Sequence, residues 1–125
     1  MDQTPSRKDR RYDRIETPRG LWVAWGADDH KMVSRVSDLN VGGLFISTPA
    51  PLPVGALIKL LLAVQEGEIK AHAVVRNSSP NVGMGVEFAA MGAVDRERLG
   101  KLVERLLALQ NFESLKLTEK GLRND

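Results

Sequence analysis

The spacing of the apolar residues changes at Asp95, and this change limits the folds that the chain can adopt. Before that point the apolar residues lie in short, β-prone runs separated by turn-forming residues, a pattern typical of strands. From Asp95 onward they recur at the spacing of one helix face, at Leu99, Leu102, Val103, Leu106, Leu107 and Leu109. The 125 residues suit one domain. The sequence therefore predicts a mostly β domain that ends in an amphipathic α-helix.

The β-prone runs are spaced almost evenly. They cover residues 20–26, 31–37, 44–48, 57–64, 68–76 and 82–88. Turns are expected at 27–30, 38–43, 65–67 and 77–81, and a segment with three prolines lies at 49–55. Several short strands at this spacing are typical of a closed or nearly closed antiparallel barrel, which the helix would partly cover. Trp22 and Trp25 fall on opposite faces of the first strand, so at least one of them should be in the core.

The two ends of the chain lack this patterning. Residues 1–16 are polar and charged and are expected to form a flexible basic arm. Residues 17–110 are expected to form the barrel and its helix, with Asp95 as the helix N-cap. Residues 111–125 are expected to form a C-terminal tail, in which a second short helix is an alternative.

Several classes of function lack the residues that they need. The chain has no cysteine, which excludes disulfides, thiolate metal sites and cysteine nucleophiles. His30 and His72 have no metal ligand at a suitable spacing, and there is no phosphate-binding loop or nucleophile elbow. We therefore expect a protein that is not an enzyme and holds no metal and no cofactor. No secretory signal or bilayer-length apolar segment is present, so we expect a cytoplasmic protein without membrane insertion.

The N-terminal arm concentrates positive charge. Five of its residues are basic: Arg7, Lys8, Arg10, Arg11 and Arg14. The planar guanidinium group donates two parallel hydrogen bonds, which suits phosphate and the guanine edge. The alternative is a solvated basic tail without a ligand.

The segment from Asp38 to Gly43 is the second candidate for binding. The Asp38 carboxylate can accept two hydrogen bonds, as a guanine Watson–Crick edge requires, and Asn40 supplies a donor and an acceptor. Gly42 and Gly43 permit positive φ and close approach of another group. The same residues also suit an ordinary turn without a ligand.

The order of these two segments resembles the PilZ domain family. Arg10-x-x-x-Arg14 is similar to the Arg-x-x-x-Arg motif that precedes the first strand of that family. The register Arg7-x-x-x-Arg11 also fits the spacing. Arg10 and Arg14 are favoured because the apolar Ile15 follows immediately, as in the family pattern.

The later part of the chain also resembles this family. Asp38-x-Asn40-x-x-Gly43 is similar to its Asp/Asn-x-Ser-x-x-Gly motif, with Asn40 at the position of the serine. Residues 52–55 precede a long hairpin, and residues 83–88 look like the usual closing strand. The resemblance covers residues 7–109.

The resemblance implies a six-stranded antiparallel β-barrel with a C-terminal α-helix that binds the bacterial second messenger cyclic di-GMP. The arginines of the arm would bind phosphate and guanine, and Asp38 would bind a guanine edge. The implied ligand contacts are Arg10, Arg11, Arg14, Asp38, Asn40 and Gly43, with Arg7, Gly42 and Arg76 as additional candidates.

We expect binding to order the arm over the barrel rim and thereby to signal to an unidentified downstream protein, in motility or biofilm regulation. One alternative is a PilZ-like adaptor that contacts proteins without binding the nucleotide. A second is a small nucleic-acid binder, against which the aromatic content of 5% and the near balance of acidic and basic residues argue. No DNA or RNA partner is therefore expected.

Overall fold

The computed structural model of the chain describes residues 15–17 and 20–123, and side chains, except that of Glu16, as far as residue 112. Seven strands and one helix are present in this part of the chain. They are β1 Ile15–Glu16, β2 Trp22–Ala27, β3 His30–Asn40, β4 Gly43–Ser47, β5 Leu57–Val64, β6 Gly67–Ser79, β7 Gly83–Ala90 and α1 Ala93–Arg123.

Strands β2 to β7 form a closed barrel. Their order is β3-β2-β5-β6-β7-β4, and β4 pairs with β3 to complete the circle, with every pairing antiparallel. This confirms the expected six-stranded antiparallel barrel with a C-terminal helix. The short β1 pairs with the end of β3 that β2 does not reach, because Ile15 lies opposite Leu39 and Trp22 lies opposite Arg35.

The barrel interior is filled by alternate residues of each strand, as the period of two requires. Val23, Val36, Leu44, Leu62 and Val75 are among the side chains with no exposed surface. The two tryptophans separate as predicted: Trp25 is buried and its indole N–H donates to Ser34 Oγ at 3.0 Å, whereas Trp22 is 51% exposed.

Strand β6 is longer than the sequence indicated. The expected loop at 77–81 is strand as far as Ser79. The pairing of β6 with β7 shifts register between Val75 and Asn77. At this irregularity the side chain of Asn77 accepts a hydrogen bond from Gly85 N–H at 3.0 Å. Asparagine favours turns by its intrinsic propensity. Here the Asn77 side chain instead accepts a hydrogen bond from a backbone N–H of the neighbouring strand.

Helix α1 packs against the barrel through Leu99, Leu102 and Leu106, which are buried. Leu107 and Leu109, which the predicted apolar face included, are 41% and 46% exposed. The helix continues past residue 110 to Arg123 without a break. The division of the chain into arm, barrel and tail stays a prediction. No helix in the described part of the chain is long and apolar enough to cross a membrane.

Asp95 does not cap the helix as predicted. The helix begins at Ala93, and Arg96 N–H already donates to Gly92 C=O at 2.9 Å. The Asp95 carboxylate instead accepts a hydrogen bond from Lys70 N–H at 2.9 Å. The residue predicted as the N-cap therefore connects the first turn of the helix to β6.

Candidate functional site

A β-bulge in β3 turns Asp38 toward the outside of the barrel. Ser34 and Val36 point inward, and strict alternation would also send residue 38 inward. The pairing with β4 instead shifts between Val36 and Asp38, so that Leu39 becomes the next buried residue. Bulges change the direction of side chains in this way. A carboxylate that would be expensive to bury is therefore placed on the outer surface.

The predicted turn at 38–43 is shorter than expected, because β3 continues to Asn40 and only Val41 and Gly42 connect it to β4. The Asn40 side-chain oxygen accepts hydrogen bonds from Gly42 N–H at 2.7 Å and Gly43 N–H at 2.9 Å. Asn40 is only 8% exposed. Its carboxamide oxygen therefore holds the turn in the manner of an Asx turn.

Gly42 and Gly43 do not adopt the positive φ angle that glycine permits. Among the described residues the glycines with positive φ are Gly55, Gly67 and Gly83. Gly43 meets a different requirement, because a Cβ there would lie 2.1 Å from the Val86 carbonyl oxygen. The backbone of β4 can therefore approach β7 this closely only with glycine at position 43.

The last residues before the barrel are anchored to the bulge. Ile15 is buried and pairs with Leu39, and Glu16 pairs with Asp38. Thr17 N–H donates to Ser37 C=O at 3.2 Å, and the Thr17 hydroxyl donates to Val36 C=O. The end of the predicted arm is thus fixed beside Asp38 on the outer edge of β3.

Of the five arginines predicted to contact the ligand, the structure describes Arg76. Arg7, Arg10, Arg11 and Arg14 lie outside the described residues. Arg76 is on β6 and its Nε donates to Glu87 Oε1 at 2.6 Å, with both side chains more than half exposed. An exposed pair of this kind contributes little to stability. The predicted site elements that lie next to one another in the structure are the anchored end of the arm, Asp38 and the turn at Asn40–Gly43.

Arg35 is a nearby residue that the sequence analysis missed. It lies on the outer face of β3, with Trp22 of β2 and Ser47 of β4 as its cross-strand neighbours. Its Nε is buried and has no hydrogen-bond partner. Alternation along β3 could have placed Arg35 on the outer face, but only the bulge puts Asp38 on that face as well.

A second polar cluster fixes the helix to the barrel. Arg105 donates through Nε to Glu66 Oε2 at 2.6 Å and through a terminal nitrogen to Oε1 at 3.1 Å. Arg98 donates to Glu68 C=O at 2.8 Å, and Asp95 accepts from Lys70 as described above. We call these contacts of Asp95, Arg98 and Arg105 with the β5–β6 hairpin the helix clamp.

The ion pair of the helix clamp shifts the pKa of both partners. The hydrogen bond from Arg105 holds the pKa of the Glu66 carboxyl below its ordinary value of 4.5, against the opposing effect of desolvation. The same contact raises the pKa of the Arg105 guanidinium. Among the described residues there is no group of three or more side chains suited to hold a metal ion.

The fold agrees with the comparisons with known proteins. The family model of the PilZ domain matches residues 8–105, so the chain belongs to the PilZ domain family. No curated protein matches the chain.

Solved structures of low identity share the fold. The PilZ domain of YcgR from Escherichia coli with c-di-GMP is 20% identical, with a TM-score of 0.67 over 86% of this chain and 98% of that one. The MrkH–c-di-GMP complex of K. pneumonia is 21% identical, with a TM-score of 0.68 over 82% and 53%. MotI/DgrA of Bacillus subtilis, an inhibitor of motility, is 21% identical, with a TM-score of 0.64 over 79% and 52%. The chain spans about half the length of MrkH and MotI.

Proposed function

We propose that this chain is a receptor for cyclic di-GMP and not an enzyme. The observation that carries the proposal is the pairing of β1 with β3, in which Ile15 and Glu16 lie opposite Leu39 and Asp38. Arg14 directly precedes Ile15, and a peptide bond holds consecutive Cα atoms about 3.8 Å apart. Arg14 is therefore one residue away from β1, which pairs with β3 at the outward carboxylate of Asp38.

The chemistry of these residues matches the ligand. A cyclic dinucleotide of guanine carries two phosphates, which suit Arg10, Arg11 and Arg14. Each guanine presents N1–H and an exocyclic amine, which suit the Asp38 carboxylate. Gly43 lets the turn lie close to β7, and we propose that Asn40 contributes mainly by holding that turn. The intracellular messenger would place the protein in the cytoplasm, and ordering of the arm would signal to a downstream protein.

Titration calorimetry of the full chain with cyclic di-GMP tests the proposal. We expect saturable binding by the wild type and a loss of at least about tenfold in affinity for Arg14→Ala, since a hydrogen bond to a charged group contributes about 1.5–3 kcal/mol. Arg10→Ala should lose a similar amount of affinity. A larger loss of affinity for Arg7→Ala than for Arg10→Ala would favour the register Arg7-x-x-x-Arg11. Arg96→Ala, an exposed arginine on α1, is the matched control. Equal affinity of the wild type and Arg14→Ala would show that the site is misplaced.

The adaptor alternative rests on one departure from the family's motif, the asparagine at position 40 in place of serine. In that case the wild type would show no binding of the dinucleotide in the same titration. A nucleic-acid binder would instead prefer polynucleotide and lose affinity steeply with salt. The absence of a DNA or RNA partner stays a prediction.

A further inference from the structure

We propose that Arg35 and Trp22 form a second part of the ligand site, with Arg35 donating to a phosphate and Trp22 stacking on a guanine base. The inference deepens the proposed function and depends on it. Arg35 and Trp22 are directly opposed on β3 and β2, and their side chains share the outer face of the barrel. Neither residue belongs to the two sequence motifs.

The first argument is the unsatisfied donor. Arg35 Nε is buried without a hydrogen-bond partner, and no ion pair joins Arg35 to a carboxylate of the described residues. Val33, Trp22 and Ser47, its neighbours along and across the strands, are uncharged, and its nearest charged residue on β3 is Asp38, three residues along the chain. A buried N–H donor without an acceptor is unfavourable, and a phosphate oxygen bound by this guanidinium would supply both an acceptor and a countercharge.

The second argument is position. The bulge at Ser37 places Asp38 on the same outer face as Arg35, three residues along the strand. Three strand residues span roughly 10 Å, and the bulge shortens that distance. A dinucleotide whose guanine is held at Asp38 therefore has its other groups within reach of Arg35. Trp22 is 51% exposed and offers an aromatic surface beside it, and bases stack on such surfaces.

The variant Arg35→Met tests the role of the guanidinium, because methionine keeps an apolar stem and removes every donor. We expect the Kd for cyclic di-GMP to rise about tenfold, which is about 1.4 kcal/mol, with no loss of thermal stability. Arg35→Lys should recover part of the affinity, since it restores the charge without the planar fork. Arg96→Ala is the charge-matched control and should bind like the wild type.

Intrinsic fluorescence tests the role of Trp22, because the chain has two tryptophans and the other, Trp25, is buried. We expect cyclic di-GMP to quench the wild type and to leave Trp22→Phe unquenched. Wild-type affinity of Arg35→Met, or an unchanged emission of the wild type at saturation, would overturn this inference while leaving the receptor proposal intact. A wild type that does not bind in calorimetry would overturn both.

Discussion

Two partly buried arginines of this protein, Arg105 and Arg35, have opposite surroundings. Arg105, in the helix clamp, has a side chain that is 31% exposed and makes two hydrogen bonds to one carboxylate that is 10% exposed. Arg35, on the outer face of β3, has a buried Nε without any acceptor. A buried donor left unsatisfied costs about 1–3 kcal/mol.

The difference separates a structural contact from a binding contact. The helix clamp is complete within the chain, and its loss should reduce stability without changing ligand affinity. The outer face of β3 presents a donor without an acceptor beside the anchored end of the arm, so substitutions of its side chains should change affinity more than stability. Structural glycines near the site are the exception, because they fix the backbone on which the site is built.

The largest effect in this comparison is expected from Gly43→Ala. The added Cβ would lie 2.1 Å from the Val86 carbonyl oxygen and would force β4 away from β7. We expect a loss of at least about 2–3 kcal/mol in the free energy of unfolding, measured by urea denaturation.

The matched control is Gly100→Ala in α1, where a Cβ would have no atom within 4 Å. Alanine is the better helix former, so this variant should gain about 0.5–1 kcal/mol. Equal effects of the two substitutions would contradict the close approach of β4 and β7.

A smaller effect is expected from Glu66→Gln in the helix clamp. Glutamine keeps the shape but removes the charge that pairs with Arg105, so we expect a loss of about 1 kcal/mol in stability and an unchanged Kd for cyclic di-GMP. A double-mutant cycle with Arg105→Met isolates the pair. A clear loss of affinity in Glu66→Gln would show that the helix clamp is coupled to the site.

The same pair predicts a pH dependence. Because the pKa of Glu66 is lower in the folded state than its ordinary value of 4.5, the contribution of the carboxylate is present above that value and is lost as the pH falls through the folded pKa. The stability of the wild type should therefore fall more steeply below about pH 4.5 than that of Glu66→Gln. Parallel profiles would contradict a stabilising ion pair.

The barrel could be predicted from the sequence, because alternation of apolar and polar residues indicates strands that bury one face. The bulge at Ser37 has only a weak sign in the sequence: Val36 and Leu39 are three residues apart where strict alternation requires two, and the turn-forming residues that follow predict a turn at the same place. The sequence therefore predicts a turn at Asp38, and it cannot show that Arg35 Nε is buried without a hydrogen-bond partner. The predictions for Asn77 and Asp95 are wrong for a related reason: their side chains accept hydrogen bonds from strands distant in sequence, which local propensity does not include.

The smallest effect is expected from Asn40→Ser, which restores the family's motif. Because the Asn40 oxygen faces the turn and the residue is 8% exposed, it has little surface with which to contact or crowd a base. Serine can accept the same backbone donors more weakly. We expect the Kd for cyclic di-GMP to change less than about threefold, or about 0.6 kcal/mol.

Asn40→Ala, which has no acceptor, should lose about 1 kcal/mol of stability. A gain of tenfold for Asn40→Ser would mean that asparagine obstructs the ligand, and an equal loss would mean that it binds the ligand directly. Either result would contradict the purely structural role of Asn40 in the turn.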